Sequence, residues 1–439
     1  ERMGSWFKLS YDHQVLKMMK RNILPISTPS LLKGLLLSLS FSWFAAESNS
    51  AHGQTPDQTG THSLVEAGFE QIRLRSQGDT ILVALESPQI RGSYRALGIA
   101  LRNLAQSFPN ARHYSLLFGE YGQPQIAIEA AHEANHWQVR THYDTHTIWQ
   151  QLTEGAAQTT LKANHQRKID ITLYPIVSID NHILNKLARV GIYLAPSFET
   201  TLWRGNRLMF QPILPVFTNI PDNNPESQFQ WGVVGIRQDW FANRRWRASS
   251  TAGLFLYDLA GLHQEVNYHL TSTLDLGLRL SATTRVRRNS GRWERDRKLH
   301  IGAMAVADYY EPRTALQLKL SAGSFAYGDL GGRVDVVRHF GEYAIGAYAI
   351  FTDGERNAGF NFAIPLGAKR QSNWPGQTVR LRLPQYFSWE YSMLNYYRYA
   401  FEHMGVTYKE IPDKSFTTHY WPAAYIEHYL QRFLDNKIN

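Results

Sequence analysis

The chain has 439 residues, 46 Lys and Arg against 37 Asp and Glu, and no cysteine. Without cysteine there is no disulfide framework, no thiolate nucleophile, no cysteine zinc site and no acylated lipoprotein anchor. The net charge of +9 is not accompanied by any nucleic-acid recognition motif, so no nucleic-acid partner is expected, whereas acidic polysaccharide or lipopolysaccharide phosphates suit it equally well.

Charged residues are only 19% of the chain, while it carries 12 Trp, 23 Tyr and 21 Phe. A soluble enzyme is usually nearer about a quarter charged. Uncharged polarity mixed with many aromatics is what a barrel with a wet interior and aromatic girdles requires.

At the N-terminus, Lys17, Lys20 and Arg21 precede an apolar run over 31–46 that Lys33 interrupts. The run is short for a helix that needs ~20 residues to span a bilayer, and Ala46, Ser48, Ser50, Ala51 and Gly53 follow it. Residues 1–53 therefore read as a signal peptide with upstream residues, the alternative being a transmembrane anchor.

A small α/β unit is expected over 62–160. Strands at 70–75 and 80–86 flank the turn residues Gln77, Gly78 and Asp79. A helix over 94–108, capped by Ser93, has Leu97, Leu101, Leu104 and Phe108 on one face. Strands at 114–118 and 125–130 complete a ββαββ pattern. The outward helix residues Arg95, Arg102 and Gln106 are candidate partner contacts or a merely solvated face.

His132, Glu133 and His136 fit the H-E-x-x-H zinc signature, and Glu154 follows at a separation suited to a third ligand. That chemistry needs both histidines on one face of a helix, with the Glu as general base. The run before them alternates like a strand, and His113, His142 and His146 make the region generally His-rich. Ordinary surface histidines are therefore expected, with no metal and no cofactor. An envelope zinc hydrolase stays as an alternative.

From about 168 to 384 the chain alternates with period 2 in segments of barrel-strand length. Leu276, Leu278 and Leu280 alternate with Asp275, Gly277 and Arg279. Ile192 and Leu194 alternate with Tyr193 and Ala195, Leu318 and Leu320 with Lys319 and Ser321, and Phe360 and Phe362 with Asn361 and Ala363. Charges among Gly and Ser on the polar face favour a membrane barrel over a β-sandwich, whose core would be bulky on both inner faces. The fold class is thus mainly β: an outer-membrane antiparallel barrel of about twelve strands behind a small periplasmic ββαββ unit. Long polar linkers at 218–226 and 287–298 contrast with tight turns such as Phe340-Gly341-Glu342. In the second linker Arg287, Arg288, Arg292 and Arg295 form a candidate polyanion contact or a solvated loop. Residues 385–439 read as a tail, helical over 422–434.

Two stretches resemble the YjbH-like family of outer-membrane exopolysaccharide biogenesis proteins, which includes capsule-associated members. One runs from Gly78 and Asp79 through 86 and continues at 95–101. The other spans 321–340 with its Gly328-Asp329 turn, then 347–353 ending in Thr352-Asp353, then the closing Phe362, Ile364, Pro365 and Leu366. The resemblance implies a non-enzymatic role in assembling or exporting a surface polysaccharide. It also implies periplasmic and outer-membrane secretion partners, and it carries no catalytic residues with it. A porin-like channel or adhesin is the alternative among barrels.

Overall fold

The protein is described by a computed structural model over residues 56–88, 93–133, 136–153, 159–161, 168–182, 186–219, 227–243, 245–256, 258–289, 292–366, 378–392, 405–406 and 422–436. The signal segment expected at 1–53, and Glu154, lie outside the described residues.

The N-terminal unit runs α1 (Pro56–Glu66), β1 (Glu70–Gln77), β2 (Thr80–Glu86), α2 (Tyr94–Ser107), β3 (His113–Glu120), β4 (Gln123–Glu133), β5 (His136–His142), α3 (His146–Thr153) and β6 (Thr159–Leu161). Its six-stranded sheet has the order β5-β4-β3-β2-β1-β6. Gly78, at φ 66°, makes the β1–β2 turn. β2 and β3 are parallel, and a parallel pair needs a crossover, which α2 supplies. Ser93 caps α2 by accepting the Arg95 amide at 3.1 Å, and Leu97, Leu101 and Leu104 face the core. The ββαββ expectation therefore holds for its five elements but is incomplete, because β5, β6, α1 and α3 lie beyond that pattern. α1 has only Leu64 and Val65 as apolar residues with bulk, too few to mark a helical stripe, and β5 begins inside the H-E-x-x-H segment.

The second part is one large sheet of fourteen strands. Twelve follow one another as antiparallel neighbours: β7 (Ile169–His182), β8 (Lys186–Thr200), β9 (Asn206–Thr218), β10 (Gln230–Asn243), β11 (Trp246–Phe255), β12 (Leu259–His269), β13 (Leu274–Asn289), β14 (Arg292–Glu311), β15 (Leu316–Ser324), β16 (Leu330–Phe340), β17 (Tyr343–Thr352) and β18 (Glu355–Pro365). β20 (Tyr386–Ser392) pairs with β18, and the short β19 (Val379–Arg382) lies parallel to β7. Three residues separate β19 from β20 in the chain, so consecutive segments cover the two edges of the sheet. The Trp389 indole N–H also donates to the Val177 carbonyl of β7 at 3.0 Å.

Alternation sorts the strands as the sequence suggests. Leu276, Leu278 and Leu280 are exposed at 41–43%, whereas Asp275 on the other face is 7% exposed and Thr283 is 0%. Burial of that polar face, with no second sheet over it among the described residues, requires the large sheet to curve around its own side chains. Arg333 on β16 duly reaches Glu390 on β20, three strands away, at 2.7 Å. Two boundaries shift from expectation. β20 falls in the expected tail, although Phe387, Trp389 and Tyr391 alternate with Ser388 and Glu390. The expected linker at 287–298 is largely the end of the β13–β14 hairpin, paired through Asn289↔Arg292.

α4 (Ala423–Leu434) matches the helix expected in the tail. Tyr425, Tyr429 and Phe433 recur every four residues and surround Tyr94 of α2, with ring centroids 6.3, 5.4 and 6.1 Å away. The neighbouring face carries Glu427 and Gln431, which accept the Thr141 and Val139 amides of β5 at 2.7 and 3.0 Å. The free edge of the small sheet is thereby satisfied by side chains rather than by another strand. Gly98 of α2 sits where a Cβ would overlap the Phe433 ring. Helix propensity alone favours Gly98→Ala by roughly 0.8–1 kcal/mol. The opposite sign is expected, because the methyl group must displace Phe433. Limited proteolysis should release the α4 region from Gly98→Ala faster than from the parent protein.

Candidate functional site

The tight turns after β8, β10, β12, β14 and β16 all lie at one end of the large sheet, and the α/β unit is seated there. Three arginine systems make the joint. On β9, Arg207 donates to the Tyr121 hydroxyl at 2.8 Å, lies 4.9 Å from that ring, and has Glu199 at 3.9 Å. On β11, Arg247 donates to the Gln125 side-chain oxygen at 2.7 Å and faces the Tyr143 ring at 5.6 Å. At the β19 edge, Arg380 bridges Glu70 of the small sheet at 2.8 Å and Asp170 of β7 at 2.5 Å, and Lys168 joins Glu70 at 2.9 Å. Tyr143 stacks on His269 at 3.5 Å with an interplanar angle of 9°, and His269 bonds Asp275 at 2.6 Å.

α4 closes the other side of the joint. The Ala424 amide donates to the Ser272 carbonyl at 3.0 Å, and the Tyr425 and Tyr429 hydroxyls donate to the carbonyls of Gly341 and His339 at 2.9 Å each. Between the parts lies a small cleft lined by Glu86, Glu120, Asp170 and Glu199 together with Lys168 and Arg380. Its acids and bases are mixed, so it favours no ligand of a single charge.

Above the joint, the inner face of the large sheet is charged and largely paired. Arg333 makes a two-toothed contact to Asp335 at 2.6–3.0 Å as well as its bond to Glu390. Gln317 donates to both Asp308 oxygens at 2.7 and 2.9 Å, and Arg279 lies 3.6 Å from Glu265. The Gly328-Asp329 turn is held inward, Thr352 donating to Asp329 at 2.6 Å. None of these contacts supplies a nucleophile beside a base; the arrangement suits a polar passage or a braced interior.

The expected site residues fall in different places. His132 and Glu133 end β4 and His136 opens β5, with Glu133 paired to His136 and His132 to Trp137. Opposed residues in an antiparallel pair share a face, and successive residues alternate. The two histidines thus lie on opposite faces of a hairpin and do not converge. His132 stacks on Trp137 at 4.3 Å, and His136 lies 3.7 Å from Asp435. Among the described residues no group of three or more His, Asp or Glu has metal-holding geometry.

Arg95 and Arg102 are both engaged within the chain. Arg95 pairs with Glu342 of the β16–β17 turn at 3.1 Å, which also takes the Ser93 hydroxyl at 2.5 Å. Arg102 donates to the Phe433 carbonyl at 2.7 Å and to Asn436 at 2.6 Å. Arg287, Arg288 and Arg292 sit on the ladder of the β13–β14 hairpin, and Arg295 is exposed on it. Sequence reasoning missed the joint itself, because Tyr121, Tyr143, Arg207 and Arg247 share no motif.

No protein-family profile matches the chain, and no curated protein matches it. Among solved structures, the low-pH form of Pseudomonas putida OprB is similar at 13% identity and a TM-score of 0.28, over 46% of this chain and 84% of that one. A likeness this distant assigns neither topology nor function.

Three phenols of the joint are held neutral well above their ordinary pKa of about 10. Burial is the main cause for Tyr143, Tyr94 and Tyr425, followed by the charge of Asp275 for Tyr143, of Glu342 for Tyr94, and the neighbouring Tyr386 for Tyr425. A folded-state pKa raised in this way favours the native state below about pH 10, and that contribution falls as pH rises beyond it. Alkaline titration followed by tyrosinate absorbance should leave these phenols un-ionised until the joint opens. Smooth ionisation of all tyrosines near pH 10 would contradict the burial assignment.

Proposed function

We propose that the chain is an outer-membrane β-barrel protein that aids assembly or export of a surface polysaccharide, with its α/β unit held at the periplasmic end. The observation that carries the membrane reading is the sorting of faces: exposed Leu, Ile, Val and Phe outside, paired charges inside. A lipid surface would make such an outer face stable, and closing the sheet into a barrel would remove its free edges. Exposed Trp203, Trp240, Trp246, Tyr309, Phe340 and Tyr343 gather at the short-turn end, as an interfacial aromatic girdle would. No described helix is long and apolar enough to cross a membrane, which says nothing of strands.

The polysaccharide role draws on the YjbH-like resemblance. Its stronger stretch runs from the end of β15 to β18, and along with exposed outer residues such as Val336, Phe360 and Ile364 it includes the inner-face contacts of Arg333 with Asp335 and of Asp329 with Thr352. A motif that braces the interior fits a protein whose work is done through that interior. The charged inner face also favours a porin-like channel as a second reading, and ion conductance in planar bilayers would support it. Deleting the gene should lower surface polysaccharide, and unchanged output would end the export reading.

The facing assignment has its own test. Arginine at a midplane lipid-facing position costs ~2–4 kcal/mol, and inner-face changes cost less. Leu278→Arg should abolish heat-modifiable gel migration, a mark of a folded barrel, while Arg279→Leu retains it. Arg279→Leu leaves Glu265 without its arginine neighbour, so a modest loss of thermal stability is expected there.

A further inference from the structure

We propose that the outer face of the β13–β14 hairpin docks phosphate groups of the outer-leaflet lipids, an inference that rests on the outer-membrane reading above. β14 is 20 residues long. Its pairing with β15 extends only to Met304↔Gly323, so residues 292–303 have β13 alone beside them. Every residue from Trp293 to Leu299 is exposed, and the hairpin therefore stands clear of the curved sheet.

The order of side chains along β14 gives the partner. Ile301, 74% exposed, and Leu299, 55% exposed, continue the apolar outer face upward. The ladder shifts register between Thr284 and Val286 and resumes with Val286 opposite Arg295 and Arg288 opposite Trp293, which sets Arg295 and Trp293 on the side of Val286, while Arg297 is exposed within the shift. Glu294 takes the other side, opposite Arg287 in the ladder, whereas Arg295 and the neighbouring exposed Arg297 are basic. A basic patch directly above an apolar band is complementary to a lipid headgroup phosphate above acyl chains. A soluble polyanion would gain nothing from the adjoining Ile301 and Leu299.

The test titrates the detergent-solubilised full chain with lipid A, with lipid A stripped of its phosphates, and with a soluble acidic polysaccharide. Each surface charge removed is expected to weaken binding about fivefold, so Arg295→Gln with Arg297→Gln should lose about 30-fold for lipid A at low salt. The loss should shrink as salt is raised, and Arg295→Lys with Arg297→Lys should retain most of the affinity. Equal binding by the Gln variant, or equal binding of the dephosphorylated lipid, overturns the proposal. So does a larger loss for the soluble polysaccharide than for lipid A. Heat-modifiable migration is read on the same samples. Its absence in the parent protein defeats the barrel reading, whereas its presence with unchanged lipid A affinity defeats the docking surface alone.

Discussion

The stacking of Tyr425, Tyr429 and Phe433 about Tyr94 is the contact on which the arrangement of the two parts depends. Aromatic pairs at these separations contribute beyond the area they bury, and here one ring of α2 serves three of α4. The same helix hands its Glu427 and Gln431 to the edge of the small sheet and its tyrosine hydroxyls to the rim of the large one. Each of these interactions is modest alone, since a typical internal hydrogen bond contributes about 0.5–1.5 kcal/mol. Their convergence on a single helix makes them act together.

The large sheet solves a different problem. Its inner face carries Arg207, Arg237, Arg279, Lys319 and Arg333, none of which is stable in a dry interior without a partner. Neighbouring strands supply Glu199, Glu265 and Asp308 to Arg207, Arg279 and Lys319, while Asp239 and Asp335 stand two residues along the same strands as Arg237 and Arg333. Arg279 with Glu265 and Lys319 with Asp308 are direct ladder partners, so at these positions register and charge placement enforce each other. A one-residue slip of any strand would turn both its apolar row and its charges to the wrong sides. The arginines nearest the short-turn end are completed from outside the sheet, by Tyr121 and Gln125.

Much of this was legible in the sequence, and the reason is periodicity. Leu276, Leu278 and Leu280 announce a strand and its facing at once, as do Leu97, Leu101 and Leu104 for α2 and the aromatic spacing for α4. Long-range pairings leave no such trace. Nothing near Arg102 indicates Phe433, and nothing near Arg95 indicates Glu342, so both arginines read as outward and available. The H-E-x-x-H spacing is a pattern of a different kind, because a motif defined by helical spacing means little on a hairpin, where alternation divides its histidines between two faces. The hairpin end at 287–298 read as a linker because its composition is polar, although its ladder continues. Strand length there is set by pairing with β13, which composition does not report.

α4 follows every strand of the large sheet in the chain, yet it covers the α/β unit that precedes them all. During synthesis the small unit emerges first, with the Tyr94 side of α2 bare and the β5 edge unpaired, and it remains so until Ala423–Leu434 has been made. Until then the chain displays an adhesive apolar surface and a strand-accepting edge. A chain lacking α4 should accordingly associate with other copies more readily than one that has it.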